Sequence, residues 1–271
     1  MKNNLTEKDI ETLNKFGLEI NDKEKIFNIK KLNISNDEIK YIPTEFFKLI
    51  NLEELFIYCR SLRKLPKEIG NLTNLKELYI MSDDLTKLPK EIGNLTNLKS
   101  LDIECVSLRK LPKEVGNLIN LKELSINRDD LTELPKEIGI LTNLKILDIE
   151  YYKLKELPRE IFNLINLEEL HITSHNLTEL PKEIGILTNL KILYIDCYNL
   201  KELPKEIYNL INLKALYIMS DNLESFPDGI ERLTNLEILA IFGKPCNLKI
   251  LPIEEIKKLN NIKELEIRLK E

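Results

Sequence analysis

The amino-acid sequence contains no long apolar segment of the kind that membrane insertion or export requires. No apolar run in its 271 residues approaches the roughly 18 residues that a membrane-spanning helix needs. The N-terminal residues 1–20 also lack the apolar core of a secretory signal peptide. We therefore expect a cytoplasmic protein that has neither a membrane anchor nor an export signal of this type.

The short motifs that carry enzyme chemistry are missing as well. The chain has no glycine-rich phosphate loop, no G-x-S-x-G, no H-E-x-x-H and no C-x-x-C. These absences predict a protein that is not an enzyme and that uses neither a cofactor nor a bound metal ion.

The sequence also lacks a surplus of either charge. It has 40 Lys+Arg against 45 Asp+Glu, which gives a formal net charge of −5. A nucleic-acid-binding protein usually presents a basic field, and this composition does not supply one. We therefore expect no nucleic-acid partner.

What the sequence does contain is one segment copied end to end. Residues 75–97 read LKELYIMSDDLTKLPKEIGNLTN, and their Leu-Pro step recurs through the chain. Pro43, Pro66 and Pro89 are 23 residues apart, and the same interval continues as far as Pro227. A fixed period of this length with an L-x-x-L-x-L pattern predicts a solenoid, in which each repeat contacts only its neighbours.

Each copy predicts a short strand followed by a helical turn. The alternation of Leu78 and Ile80 with polar neighbours is typical of a strand with one buried face. Pro89 is expected at the first position of the helical turn, where its missing N–H costs nothing. Asn97 is expected to close the repeat by bonding local backbone in a turn. Right-handed returns would then stack the strands into a parallel sheet, with the turns on the opposite face.

The first residues do not follow the repeat, and they predict a cap. Thr6 and Asp9 have the spacing of a capping box, and Ile10, Leu13 and Phe16 then follow at helical intervals. Without a cap, the first repeat of a solenoid would expose its hydrophobic layer to water. We therefore assign residues 1–25 to an N-terminal helical cap and residues 26–271 to a solenoid of about eleven strands.

The repeat L-x-x-L-x-I…L-x-x-L-P-x-E-I-x-x-L-x-N resembles the 23-residue leucine-rich repeats of several protein groups. These are the plant intracellular Ras-group, Erbin/Scribble-type proteins, Ras-pathway scaffolds and many bacterial proteins. The match covers residues 26–269. The resemblance implies an α/β right-handed horseshoe with a parallel concave β-sheet and short helical turns on the convex face. It also implies a protein-binding role as a scaffold or a signalling regulator.

The sequence departs from that family's pattern at the slot where an inward asparagine is usual. Here the slot holds residues such as Asp83 and Asp221, whose carboxylates could not lie unpaired in a dry core. The preceding slot holds small side chains: Cys59, Ser82, Cys105, Ser174, Cys197 and Ser220. We therefore expect a shifted loop in which these Cys and Ser side chains point inward and the aspartates point outward.

The four cysteines are expected to remain free thiols. Cys59 and Cys105 are two strands apart, or about 9–10 Å, whereas a disulfide needs Cα atoms within about 7 Å. Cys197 occupies the same slot farther along, and Cys246 lies in an irregular insertion about two repeats beyond it. Free thiols are typical of a reducing compartment.

Two slots of each strand face outward on the concave sheet, and their residues form the candidate binding face. Aromatic residues and methionine occupy its two ends, and carboxylates occupy its middle. Aromatic residues and methionine are enriched in binding hot spots, and solvent-facing strand positions do not need them for folding. The candidate partner-binding residues are Phe56, Tyr58, Tyr79, Met81, Asp102, Glu104, Asp148, Glu150, His171, Tyr194, Asp196, Tyr217 and Met219.

Three functions are open at this level. The first is a non-catalytic protein–protein interaction module whose carboxylates favour a protein partner with a basic or mixed basic and apolar surface. The second is a self-associating structural protein that forms a homodimer through an uncapped C-terminal end. The third and weakest is an acid–base or metal site around His171, which an open sheet without a water-excluding cleft disfavours. Ordinary cross-strand packing is the alternative explanation of the aromatic residues.

Overall fold

A computed structural model describes residues 5–16, 18, 22–127, 131, 133–243 and 251–269. Within these residues, eleven strands form one parallel sheet, and each strand pairs with the strand of the next repeat. The strands are β1 (Lys31–Ser35), β2 (Glu54–Tyr58), β3 (Glu77–Ser82), β4 (Ser100–Cys105), β5 (Glu123–Asn127), β6 (Ile146–Glu150), β7 (Glu169–Ser174), β8 (Ile192–Cys197), β9 (Ala215–Met219), β10 (Ile238–Gly243) and β11 (Glu264–Leu269). The chain is a right-handed α/β horseshoe, which confirms the expected fold class.

Short 3₁₀-helices form the turns on the convex face. They are η1 (Thr44–Lys48), η2 (Lys67–Asn71), η3 (Lys90–Asn94), η4 (Lys113–Asn117), η5 (Lys136–Ile140), η6 (Arg159–Asn163), η7 (Lys182–Ile186), η8 (Lys205–Asn209) and η9 (Ile230–Arg232). Three α-helices complete the described part of the chain: α1 (Glu7–Lys15), α2 (Lys23–Phe27) and α3 (Ile253–Ile256). The sequence pattern did not predict α2.

The leucine and isoleucine slots of the repeat form one continuous core. In β3, Leu78 and Ile80 are buried, and Leu85 in the following loop is buried as well. Ile92 of η3 closes the layer from the convex side. The same slots are buried in successive repeats, so the core runs along the solenoid and every repeat shares it with its neighbours.

The prolines lie one position earlier than expected. Pro89 directly precedes η3 in an extended conformation, with φ −69° and ψ 144°, instead of being its first helical residue. Its carbonyl accepts the N–H of Ile92 at 3.1 Å, which starts the 3₁₀ pattern. A φ near −65° suits extended backbone as well as helix, so the proline ring is accommodated there without strain.

The asparagines that close the repeats act between repeats, and the expectation of a bond within the local turn is wrong. The Asn97 amide nitrogen donates to the carbonyl oxygen of Thr73 in the preceding repeat at 2.8 Å. Asn143 does the same to Ile119 at 2.8 Å. The matching bond recurs from Asn51 to Asn261, so an amide ladder joins successive repeats.

The predicted inward Cys and Ser residues are confirmed. Cys59, Cys105 and Cys197 are buried as free thiols, and Cys246 lies outside the described residues. Ser82 is buried, and its hydroxyl donates to the Leu62 carbonyl oxygen at 2.8 Å. Asp83, the next residue, is exposed, while Asp221 is half-buried. The short side chains therefore replace the family's usual asparagine by bonding backbone carbonyls of the preceding repeat.

Helix α1 begins at the predicted capping box and covers the first repeat. Thr6 accepts the backbone N–H of Asp9 at 3.2 Å, and the Asp9 carboxylate accepts that of Thr6 at 2.7 Å. Asp9 also pairs with Lys48 of η1 at 2.7 Å. The Phe16 ring meets that of Phe46 edge to face, with centroids 5.9 Å apart. The boundary between a cap of residues 1–25 and a solenoid of residues 26–271 stays a prediction.

The helices of the described residues are short. None of them combines the length and the apolar character that crossing a bilayer would require.

Candidate functional site

Parallel pairing aligns the outward residues of the strands into rows that cross the concave sheet. The registers place Tyr79 beside Phe56 and Asp102, and Tyr194 beside His171 and Tyr217. The first row runs Phe56, Tyr79, Asp102, Ser125, Asp148, His171, Tyr194, Tyr217 and Ala240. The second row runs Tyr58, Met81, Glu104, Asn127, Glu150, Thr173, Asp196, Met219 and Phe242.

All thirteen candidate residues lie in these two rows. Tyr58 is exposed and the other twelve are half-buried, so every one reaches the outward surface. Ala240 of β10, in the same row, is buried and offers no contact. The candidates form an aromatic cluster on β2 and β3, a carboxylate group on β4 to β6, and a second aromatic cluster on β7 to β9. The aromatic clusters are centred on β3 and β8, five strands or about 24 Å apart.

The first aromatic cluster is a contact between three rings. The Tyr79 centroid lies 4.8 Å from that of Tyr58 and 6.5 Å from that of Phe56. The ammonium of Lys31 lies 4.7 Å from the centre of the Phe56 ring, a cation–π contact, and pairs with Glu54 at 2.6 Å. Burial and the nearby Glu104 raise the pKa of Tyr79, so its hydroxyl stays protonated near neutral pH.

The carboxylate group includes Asp102, whose charge is costly in the folded state. Burial, together with the neighbouring carboxylates of Glu104 and Asp148, raises the pKa of Asp102 to about 6, although a hydrogen bond from Ser125 opposes the shift. The Asn127 amide donates to the Ser125 hydroxyl at 2.9 Å. The Oδ1 atom of Asp102 is shielded from solvent and has no hydrogen-bond partner among the described atoms.

The second aromatic cluster continues the first row. The His171 and Tyr194 centroids are 5.7 Å apart, and those of Tyr194 and Tyr217 are 5.9 Å apart. The Tyr194 hydroxyl lies 3.9 Å from the Met219 sulfur. Burial raises the pKa of Tyr194, and the neighbouring carboxylate of Asp196 adds to the effect. This cluster is a half-buried ring surface three strands wide.

A third row of rings was missed by the sequence analysis. Tyr152, His175 and Tyr198 lie just beyond β6, β7 and β8; the His175 centroid is 4.8 Å from Tyr152 and 6.1 Å from Tyr198. The Tyr152 hydroxyl donates to Glu150 at 2.6 Å. The sequence could have revealed this row. His175 and Tyr198 directly follow the inward residues Ser174 and Cys197, and the residue after an inward one points outward.

A depression of about 620 Å³ lies between the first and third rows on β6 to β8. It is lined by Asp148, Glu150, Tyr152, His171, Thr173, His175, Tyr194 and Asp196. Burial raises the pKa of Asp148 and of Asp196, while His171 and His175 respectively oppose the shift. No group of three or more His, Cys, Asp and Glu residues in the described ranges has metal-binding geometry.

A carboxylate at the edge of the sheet, that of Glu168, forms ion pairs with lysines, in contrast to the carboxylates in the depression. Glu168 lies between Lys145, at 2.8 Å, and Lys191, at 2.5 Å, and the hydrogen bonds from Lys145 and Lys191 lower its pKa to about 2. Within the part of the chain that the structure describes, no lysine or arginine forms an ion pair with Asp148, Glu150 or Asp196. Among the described residues, the depression is therefore an acidic and aromatic surface to which no lysine or arginine contributes.

Comparisons with known proteins agree with this architecture. A family model for a leucine-rich repeat region matches residues 9–131, 112–176 and 163–271. The leucine-rich repeat domain of the type III effector XCV3220 (XopL) is 30% identical over 78% of this chain and 75% of that chain, with a TM-score of 0.67. A comparison with curated proteins finds no match.

Two further solved structures show a likeness of fold alone. The plant peptide hormone receptor RGFR1, in complex with RGF2, is 24% identical over 84% of this chain and 41% of that chain, with a TM-score of 0.56. The functional domain of InlJ from Listeria monocytogenes, which includes a cysteine ladder, is 21% identical over 92% of this chain and 60% of that chain, with a TM-score of 0.62. Proteins of this fold are typically interaction modules without catalytic activity. With matches to the family model across nearly its whole length, the chain belongs to the leucine-rich repeat family.

Proposed function

We propose that this protein is a non-catalytic interaction module that binds a partner protein on its concave sheet, as a scaffold or a regulator. The observation that supports the proposal is the pair of aromatic clusters, whose rings are half-buried or exposed on the outward face of the sheet. The core is complete without them, because the inward Leu and Ile slots are filled in the same strands. Rings at outward positions that the core does not need are available to a partner.

The carboxylates between the clusters define the partner's surface. Asp102, Glu104, Asp148 and Glu150 give the middle of the sheet a negative potential, which attracts a partner with exposed basic groups and speeds its association. The aromatic clusters supply the apolar contacts at either side. The partner surface is thus basic or mixed basic and apolar. Buried free thiols are consistent with action in the reducing cytoplasm.

A triple variant tests this proposal. Tyr79→Ala, Tyr194→Ala and Tyr217→Ala together remove the outward rings while leaving the inward core slots intact. Wild type and variant are used to capture proteins from native lysate, and circular dichroism verifies that the variant is folded. We expect at least one protein to be retained by the wild type and lost by the variant.

A matched control variant carries three alanines on the other side of the molecule. Ile119, Ile165 and Ile211 follow the turn helices η4, η6 and η8, and each is more than half exposed. Ile119→Ala, Ile165→Ala and Ile211→Ala should leave capture unchanged. If this variant loses the captured protein and the tyrosine variant keeps it, the binding face is the convex one and the proposal is wrong.

A second candidate function is self-association through the last repeat. Leu265 of β11 is 49% exposed and Ile253 of α3 is 43% exposed, so apolar side chains meet solvent at that end of the described solenoid. Sedimentation equilibrium over a range of concentrations tests it, with Leu265→Asp as the disrupting variant. A wild-type chain that stays monomeric throughout removes this candidate.

A further inference from the structure

The depression on β6 to β8 has the side chains of a site for one cationic group. Nine outward positions form a grid of three rows and three strands there, and Thr173 on β7 is at its centre. Thr173 has Glu150 on one side and Asp196 on the other, each one strand away. Because Thr173 is short and the rings around it are long, the centre of the grid is the floor of the depression.

The carboxylates of Glu150 and Asp196 line the depression from opposite sides of this floor. Their Cα atoms are two strands apart, about 9–10 Å, which leaves room for a planar group between the carboxylate ends. One Glu150 oxygen accepts the Tyr152 hydroxyl at 2.6 Å, which holds the glutamate beside the floor. Asp148 adds a third carboxylate at the edge of the depression. These groups supply acceptors on opposite sides of one small space.

Aromatic and imidazole rings form the other two walls. His171 and Tyr194 lie on one side of the floor, with ring centroids 5.7 Å apart. Tyr152 and His175 lie on the other, with centroids 4.8 Å apart. Ring faces favour a planar, weakly hydrated cation that can stack on them. The walls and the floor therefore select for the same class of ligand.

We propose that the depression centred on Thr173 binds an arginine side chain of the partner, with its guanidinium between Glu150 and Asp196 and its faces against the rings. This inference rests on the proposed function of the concave sheet. Guanidinium carries five N–H donors in one plane, so it can reach carboxylates on two opposite sides at once. A lysine ammonium is a compact, strongly hydrated point charge, and it matches neither the two-sided acceptors nor the ring walls as well.

The two histidines of the chain make the site directly observable. The sequence contains only two, and both line the depression. Their Cε1–H resonances in an NMR spectrum therefore report on this site and on no other. The probes are three short peptides, acetyl-Gly-Arg-Gly-amide and its lysine and citrulline counterparts, each titrated to tens of millimolar. Citrulline keeps the shape of arginine and removes the charge.

The arginine peptide should shift both histidine signals along a saturable curve. The lysine peptide should bind several-fold more weakly, and the citrulline peptide should leave the signals in place. Equal effects of the arginine and citrulline peptides would overturn the inference, as would the absence of any shift with arginine. A tighter response to lysine would assign the depression to an ammonium instead and would equally overturn it.

Two substitutions at the floor provide the matched pair of variants. Thr173→Leu fills the depression while keeping every carboxylate and ring, and it should weaken the arginine peptide at least tenfold. Thr173→Ser keeps the short hydroxyl side chain and should bind as the wild type does. If Thr173→Leu binds the peptide as well as Thr173→Ser, the guanidinium does not occupy the depression.

The same variants separate this inference from the proposed function. Lysate capture that is lost in the Tyr79, Tyr194 and Tyr217 variant but kept in Thr173→Leu would leave concave binding standing and reject the arginine contact as part of it. If the arginine peptide binds at Thr173 but the tyrosine variant still captures the protein, the arginine site stands and the proposed partner binding through the concave rings is rejected. Loss of capture in Thr173→Leu and retention in Thr173→Ser is the result that supports both.

Discussion

Replacing Asp102 by asparagine should stabilise the folded protein near neutral pH. Burial is the main reason that the pKa of this carboxyl is raised from 3.8 to about 6, and Glu104 and Asp148 add to it. A raised carboxyl pKa means that the folded state disfavours the charged form. The cost is therefore fully present above about pH 6 and disappears as the pH falls to the unfolded pKa.

The size of the expected stabilisation follows from the shift in the pKa of Asp102. A difference of about two pKa units corresponds to about 3 kcal/mol at about 1.36 kcal/mol per unit. Asp102 is half-buried, so solvent screening reduces this value, and we expect a gain of about 1–2 kcal/mol at about pH 8. At about pH 4 the carboxyl is largely protonated in the folded state and the gain should fall to a few tenths of a kcal/mol. Asparagine keeps an oxygen that can accept the hydrogen bond from Ser125.

Urea denaturation followed by circular dichroism at these two pH values measures the difference. The control is Asp83→Asn, because Asp83 is exposed on the loop after β3 and its replacement should change the stability by less than about 0.5 kcal/mol. A gain for Asp102→Asn that is the same at both pH values, or a loss near pH 8, would refute the reasoning. A confirmed gain would mean that the concave sheet keeps a costly carboxylate, as binding surfaces often do.

Three further predictions concern the scaffold. Asn143→Ala removes the ladder bond to the Ile119 carbonyl oxygen at 2.8 Å and should lower the free energy of unfolding by about 1 kcal/mol in urea denaturation; an unchanged midpoint would mean that water replaces the bond. Gly139→Ala places a Cβ atom in a steric clash with the Glu160 carbonyl oxygen and should lower the free energy of unfolding by more than about 2 kcal/mol; a stabilised variant would show that the turns can separate freely. Cys197 is buried and its pKa is raised by that burial to about 12, so peptide mass spectrometry should find it unlabelled by iodoacetamide in the native protein and labelled in urea; rapid native labelling would contradict the buried slot.

Much of the fold could be predicted because the repeat constrains every copy in the same way. The 23-residue period determines which leucines point inward, and the pairing of Leu78 with Leu101 and of Tyr79 with Asp102 follows from it. The inward position of Cys105 and Ser82 could be predicted because an unpaired aspartate in the core would be too costly. The capping box of Thr6 was visible from residue spacing alone.

The failures concern contacts between repeats and the positions of backbone atoms. Asn97 was expected to bond its own turn, but its amide reaches Thr73, since stacking brings the preceding repeat within hydrogen-bond distance. A sequence pattern gives the slot of a side chain but does not identify the carbonyl that lies opposite it. The offset of Pro89 has a similar cause, because its fixed φ is compatible with both extended and helical backbone.

The rows of the candidate site could be predicted from the sequence, but the depression between them could not. The thirteen candidates occupy the outward rows, because alternation along a strand determines which face a side chain takes. The depression depends on the short side chain of Thr173 between longer neighbours, and on His175 and Tyr152 beyond the strand ends. Tyr152 and His175 lie in the loops after β6 and β7. A pattern of alternating strand residues stops at the end of each strand and does not include these loop positions.

Hydroxyl-radical footprinting of the chain with its captured partner tests the central claim most directly. Tyr79, Tyr194 and Tyr217 report on the concave sheet, and Tyr41, which is 61% exposed outside the two candidate rows, is a control of the same chemistry. Concave binding predicts that the partner lowers the oxidation of the three concave tyrosines several-fold and leaves Tyr41 unchanged. Oxidation of the concave tyrosines at the same rate in the free and bound chain would contradict it.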